Sequence, residues 1–186
     1  MYSKLMRNVS ELVCITIFTA ACATGPVDPE NSPLYNIPTG TTLVLHTELI
    51  IPADKAAVFI QNGEVKSYRD IDKYYPHCKF EVRTIKQDNQ TIQPDTFIIQ
   101  RSTTEEVVKN TYSLFRQVSM DGGDGPAFIE MNRLMYLASE QQPDVYRLTC
   151  GIWAISPHYD QLTLSEIRRT LGKLISLHRP GTQASI

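Results

Sequence analysis

Alternation of apolar and polar residues with a period of two runs through most of this chain and commits its bulk to half-buried β-strands. In residues 42–51, Leu43, Leu45, Leu49 and Ile51 share one face, while His46 and Glu48 lie on the other. Residues 57–61 and 64–68 flank Asn62-Gly63, a dipeptide that accepts the positive φ angles of a tight type I′ turn, so a hairpin is expected there. Residues 78–86 and 96–101 form a second expected pair, with Asp88-Asn89 and Pro94 marking the turn between them. Residues 128–139 lean towards strand. Residues 146–155 make a last strand and carry Trp153, the only tryptophan. Residues 105–118 fit neither the helical nor the strand period, and both readings stay open. The glycine-rich run at 121–126 is a loop.

The first twenty-two residues have a different character. Lys4 and Arg7 precede a short apolar stretch from Leu12 to Phe18, followed by Thr19-Ala20-Ala21-Cys22. Such a run falls below the roughly 18–20 residues that cross a bilayer and has the layout of a secretory signal. It resembles the signal of bacterial lipoproteins, and the resemblance covers this segment alone. It implies that residues 1–21 are removed and that the Cys22 thiol is diacylated. Ala23 stands where the inner-membrane retention signal of that class has aspartate. In a Gram-negative host this implies a lipid anchor in the inner leaflet of the outer membrane, facing the periplasm. An ordinary signal peptide cut near Ala21 or Ala23, and a buried N-terminal helix, are the alternatives. Residues 22–41, with Gly25, Pro26, Pro29, Pro33, Pro38 and Gly40, read as a lipidated N-terminus and flexible linker. Residues 42–186 are long enough for one globular domain with its own core.

Two cysteines then remain for the body. Cys78 shares a strand face with Phe80 and Val82, and Cys150 shares one with Leu148 and Ile152. Two inward-facing cysteines in an exported chain are expected to form a core disulfide. His77 adjoins Cys78, but neighbours on a strand point to opposite faces, which places it poorly to activate a catalytic thiol.

One helix is expected near the C-terminus. Thr163-Leu164-Ser165-Glu166 is a capping box. Leu164, Ile167, Leu171, Leu174 and Ile175 then recur at three- and four-residue spacing, with Pro180-Gly181 as the stop. Arg168, Arg169 and Lys173 lie off that stripe and read as a solvated face. The fold expected from these elements is mainly β (α+β), an antiparallel sandwich or partial barrel with one C-terminal amphipathic helix.

Local motifs name no reaction. The chain carries a formal charge of −2 with no basic stripe, which disfavours nucleic acid as a partner. Nucleophile-elbow, phosphate-loop and dinucleotide-loop patterns do not occur, and His46, His77, His158 and His178 lack the spacing of a metal motif. The acids of the 121–126 loop miss the EF-hand pattern. No cofactor and no metal are therefore expected. Tyr74-Tyr75-Pro76-His77 is the densest aromatic cluster, and Tyr74, Tyr75 and His77 form a candidate recognition surface for glycan or peptide, with packing at one end of the sheet as the other reading. The expected function is a non-enzymatic binding or accessory module of the cell envelope, tethered by Cys22, with an envelope protein or glycan as partner. A small envelope enzyme acting on cell-wall or glycan material, using His77, His158 and Asp160, is the alternative.

Overall fold

The computed structural model describes residues 28–109, 128–155 and 161–181. Ten strands are present among them: β1 (Thr42–Leu45), β2 (Leu49–Ile51), β3 (Ala57–Gln61), β4 (Glu64–Lys66), β5 (His77–Val82), β6 (Gln90–Ile92), β7 (Asp95–Lys109), β8 (Phe128–Ala138), β9 (Val145–Ile155) and β10 (Ile175–His178). A single α-helix, α1 (Leu164–Leu171), precedes the last strand, and one 3-10 turn, Pro29–Asn31, lies ahead of the first. Eight strands form one antiparallel sheet in the order β10-β1-β7-β8-β9-β5-β3-β4, which curls into a half-barrel. β2 and β6 pair separately.

The odd-numbered residues of the first apolar run face inward as expected: Leu43, Leu45, Leu49 and Ile51 are all buried. The run is two strands, because the chain leaves the main sheet at His46 and resumes at Leu49 in the two-stranded one. A step of four residues preserves strand parity, so the inward face survives the break. The Asn62-Gly63 hairpin is present, with φ of 55° and 75° at the two turn residues.

Cys78 and Cys150 sit directly opposite each other on β5 and β9, bonded and fully buried, with Cα atoms 4.0 Å apart. This pairing corrects the expected 78–86 with 96–101 hairpin. β5 lies between β3 and β9, whereas β7 lies between β1 and β8. Residues 90–92, read as part of a turn, are strand β6 and pair with β2. The segment between β5 and β7 thus crosses to the smaller sheet instead of folding back on its neighbour.

The helix also ends earlier than its apolar spacing suggests. The capping box is formed, with Glu166 N–H donating to Thr163 Oγ1 at 3.2 Å and Thr163 N–H donating to Glu166 Oε2 at 2.8 Å. Gly172, at φ +59°, stops it after Leu171. Ile175 and Leu177 then point inward from strand β10, not from a fourth helical turn. Leu171, Leu174 and Ile175 mimic helical spacing across this boundary. α1 touches β3 and β5 towards one end of the sheet order and β10 at the other, so it closes the open side of the half-barrel over Phe80, Phe97 and Met135.

Part of the expected linker belongs to the body. Residues 22–27 lie outside the described residues, but Ile37 is 2% exposed and Glu30 3%. Glu30 pairs with Arg168 and Arg179, and Arg133 donates to the carbonyls of Tyr35 and Pro33, the latter at 2.8 Å. Proline here sets an extended path whose free carbonyls a buried guanidinium can use, so richness in proline did not mean freedom.

Closure depends on two glycines. Gly63 N–H donates to the Thr170 carbonyl at 2.8 Å, and a Cβ on Gly172 would stand 2.6 Å from Gly63 Cα. Gly172→Ala adds that clash to a left-handed φ, and is expected to cost about 2 kcal/mol or more. Urea unfolding checks this; a midpoint unchanged from the parent contradicts it.

Candidate functional site

The sheet has a second face, opposite the core, and its residues follow from register. Rows run across β5, β9, β8 and β7: Glu81, Arg147, Tyr136 and Arg101; then Lys79, Thr149, Leu134 and Thr103; then His77, Gly151, Asn132 and Glu105. A further row carries Trp153, Glu130 and Val107. β7 contributes odd-numbered residues to this face only because a bulge interrupts its pairing between Ile99 and Arg101. Before the bulge odd residues point to the core, as Phe97 and Ile99 do; after it they point away.

A cleft of about 300 Å³ opens on this face between the rows and the loop after β4. Its walls include Phe59, Tyr68 and Trp153, and its polar lining includes Lys73, His77, Asn132 and Glu105. Gly151 leaves a notch in the middle of a row. The Asn132 side chain occupies it, since a Cβ on residue 151 would lie 2.3 Å from Asn132 Oδ1. A glycine inside a strand often marks such a close approach.

The loop at 67–76 is pinned to the sheet. Buried Gln61 donates from Nε2 to the Asp72 carbonyl at 2.8 Å and accepts from Asp72 N–H at 3.0 Å. Trp153 N–H donates to the Lys73 carbonyl at 2.8 Å. Lys73 Nζ is thereby held 4.3 Å from the Tyr68 ring centroid and 4.9 Å from that of Trp153. Both distances suit cation–π attraction. Lys109 is tied to Glu130 at 2.7 Å, whereas no ion pair to Lys73 is present among the described residues.

The far end of the face is a charge network. Glu81 accepts from Arg147 at 2.6 Å, from the Thr149 hydroxyl at 2.7 Å, and faces Lys79 at 2.9 Å. Burial opposes ionisation of Glu81, but the hydrogen bonds from Arg147, Lys79 and Thr149 outweigh it and hold its carboxyl below the ordinary value. Arg147 also lies over the Tyr146 ring at 5.1 Å, while Arg101 covers Tyr136 at 4.1 Å.

Of the sequence-derived recognition residues, Tyr74 and Tyr75 are exposed and His77 is buried. Tyr74 packs edge-on against Trp153, with ring centroids 6.2 Å apart, so it buttresses the aromatic wall. Tyr75 contributes its carbonyl, which accepts from His77 Nδ1 at 3.0 Å. That bond occupies Nδ1 and leaves Nε2 for another partner. His77 lines the cleft. His158, Asp160 and the 121–126 loop lie outside the described residues, and Cys78 is committed to its disulfide. Tyr68, Lys73, Asn132 and Trp153 were not singled out as site residues from sequence; Gly151 inside β9 and the lone tryptophan two residues on were the available signals.

Among the described residues no group of three or more His, Cys, Asp or Glu is arranged around a metal, and no helix is long and apolar enough to cross a membrane. Comparison of the chain with protein-family models, curated proteins and solved structures finds no match. The class defined by fold and site is an antiparallel β half-barrel, closed by one helix, with an aromatic-walled polar cleft on its outer face.

A carboxylate with a depressed pKa stabilises the fold above its unfolded-state pKa, and that contribution is lost as pH falls through the folded value. Replacing Glu81 with glutamine is therefore expected to cost about 2 kcal/mol at pH 7 and much less in strongly acidic solution. Urea unfolding at several pH values measures the difference; an equal loss at all pH values contradicts an ionised Glu81.

Proposed function

We propose that this protein is a lipid-anchored cell-envelope binding module, without catalysis of its own, that recognises a saccharide in the cleft of its outer sheet face. The anchor is Cys22, as the lipoprotein-like signal implies, and Glu30, eight residues later, is already paired with Arg168 and Arg179 of the body. A binding face held this near a membrane meets ligands of the envelope and not free solutes of the cytoplasm.

The observation that carries the reading is the Tyr68–Lys73–Trp153 cluster at the cleft. Aromatic rings offer flat apolar surface to the C–H face of a sugar ring, while neighbouring donors and acceptors hold its hydroxyls. Asn132 supplies both donor and acceptor, and His77 presents its Nε2. Gln61 holds the loop in place before any ligand arrives, which reduces the ordering cost of binding.

Trp153 is the only tryptophan, so its fluorescence reports on the cleft directly. Titration with soluble cell-wall saccharide fragments is expected to change that emission saturably. Tyr68→Ala should weaken binding about tenfold, the loss of one stacking contact worth roughly 1.4 kcal/mol. Unaltered emission, together with unaltered heat signals in calorimetry, would contradict the reading.

A further inference from the structure

A second constellation lies away from the cleft, on the outward side of β1 and β10. These strands pair with Val44 opposite Ser176 and Thr42 opposite His178. Leu43, Leu45, Ile175 and Leu177 fill the core, so the even-numbered side chains stand outside. His46 follows directly on β1, where its N–H donates to the Leu174 carbonyl at 2.9 Å. The fold thus brings together two histidines from opposite ends of the body.

Both imidazoles address one oxygen. His46 Nε2 lies 2.8 Å from Ser176 Oγ, and His178 Nε2 lies 2.9 Å from the same atom. A hydroxyl has a single proton, so with neutral rings one imidazole donates to it and the other accepts from it. The two Nε2 atoms therefore converge on one point, presently taken by a group that a single χ1 rotation removes. When the donating ring moves its proton from Nε2 to Nδ1, both Nε2 lone pairs are directed at one position, the ligand set of a borderline divalent cation, whose bonds to histidine are about 2.0–2.1 Å. Closing from the present separations needs a shift of under about 1 Å per ring. Hard cations, which want oxygen donors, are poorly served here.

We propose that His46 and His178 form a two-histidine binding site for a borderline divalent transition-metal ion of the zinc class, with Ser176 rotating aside and water completing the coordination. The ligands stand on or next to paired strands whose alternate residues are locked in the core, which fixes their spacing better than a loop would. The site is independent of the saccharide cleft. With only two protein ligands it suits an exchangeable ion, not a structural one.

Calorimetric titration of the intact, untagged protein with zinc chloride tests this. One zinc per chain is expected, lost in His46→Ala and in His178→Ala, and kept in Ser176→Ala; magnesium chloride is expected to give no binding. Both histidines are at least partly exposed, so the variants should fold, and far-UV circular dichroism verifies it. Nitrogen NMR of the parent protein adds a readout without mutation: the Nε2 resonances of His46 and His178 should both shift on adding zinc. No zinc binding by the parent, binding unchanged in both histidine variants, or Nε2 resonances that stay put would overturn the proposal.

Discussion

Register between β5 and β9 is the constraint on which both faces of this sheet depend. Strand side chains alternate with a period of two, so a slip of one residue would turn every core residue outward and every cleft residue inward. The Cys78–Cys150 bond forbids that slip by joining residues that stand directly opposite each other. From this pair the rest follows by counting. Phe80 and Leu148 go to the core, and His77, Lys79, Thr149 and Gly151 go to the outer face. The crosslink also removes chain entropy from the unfolded state, worth about 4 kcal/mol for a loop of this size in the entropic account. Its geometric consequence matters more for function, because it sets which residues the cleft contains.

Closure of the half-barrel makes that face rigid. α1 spans from β10 to β3 and β5, and the Gly63–Gly172 contact seats the β3–β4 hairpin against the helix end. Immediately beyond β4 the chain enters the loop that carries Tyr68 and Lys73. A well-seated hairpin therefore supports the aromatic wall from below, while Gln61 ties the loop from the side. On the opposite flank, Arg133 and Glu30 bind the N-terminal segment to the body. Arg133 is buried with only carbonyl and amide partners among the described residues, and burial pushes its pKa down from the ordinary value. The guanidinium keeps its charge because even a lowered arginine pKa lies far above neutrality.

Much of this was legible in the chain. Period-two alternation gave the strands, Asn62-Gly63 the turn, the paired inward cysteines the disulfide, and Thr163 with Glu166 the start of the helix. What was not legible has identifiable causes. Residues 105–118 carried no clean period, and in their described part neither strand face is core: Val107 lines the outer cleft and Val108 is 60% exposed. The helix seemed to reach Ile175 because a strand that begins four residues after Leu171 imitates helical spacing. The pairing of β5 was misjudged because neighbouring strands were assumed to pair, whereas its partner β9 comes far later in the chain. The cleft shares that difficulty. Lys73, Asn132 and Trp153 meet only after long-range pairing, so no local window contains the site. The tyrosine cluster adjoins the cleft, whose aromatic wall includes Tyr68 and Trp153, with Tyr74 packed edge-on against Trp153.

In the proposed function the saccharide is received by the outer sheet face and by no other surface. Backbone amide NMR of the protein, assigned and titrated with soluble cell-wall saccharide fragments, tests it most directly. The shifts should concentrate at Lys73, His77, Asn132, Gly151 and Trp153 and leave α1 and β10 unmoved. Shifts confined to α1, β10 or the segment around Glu30, with the cleft amides unchanged, would contradict it.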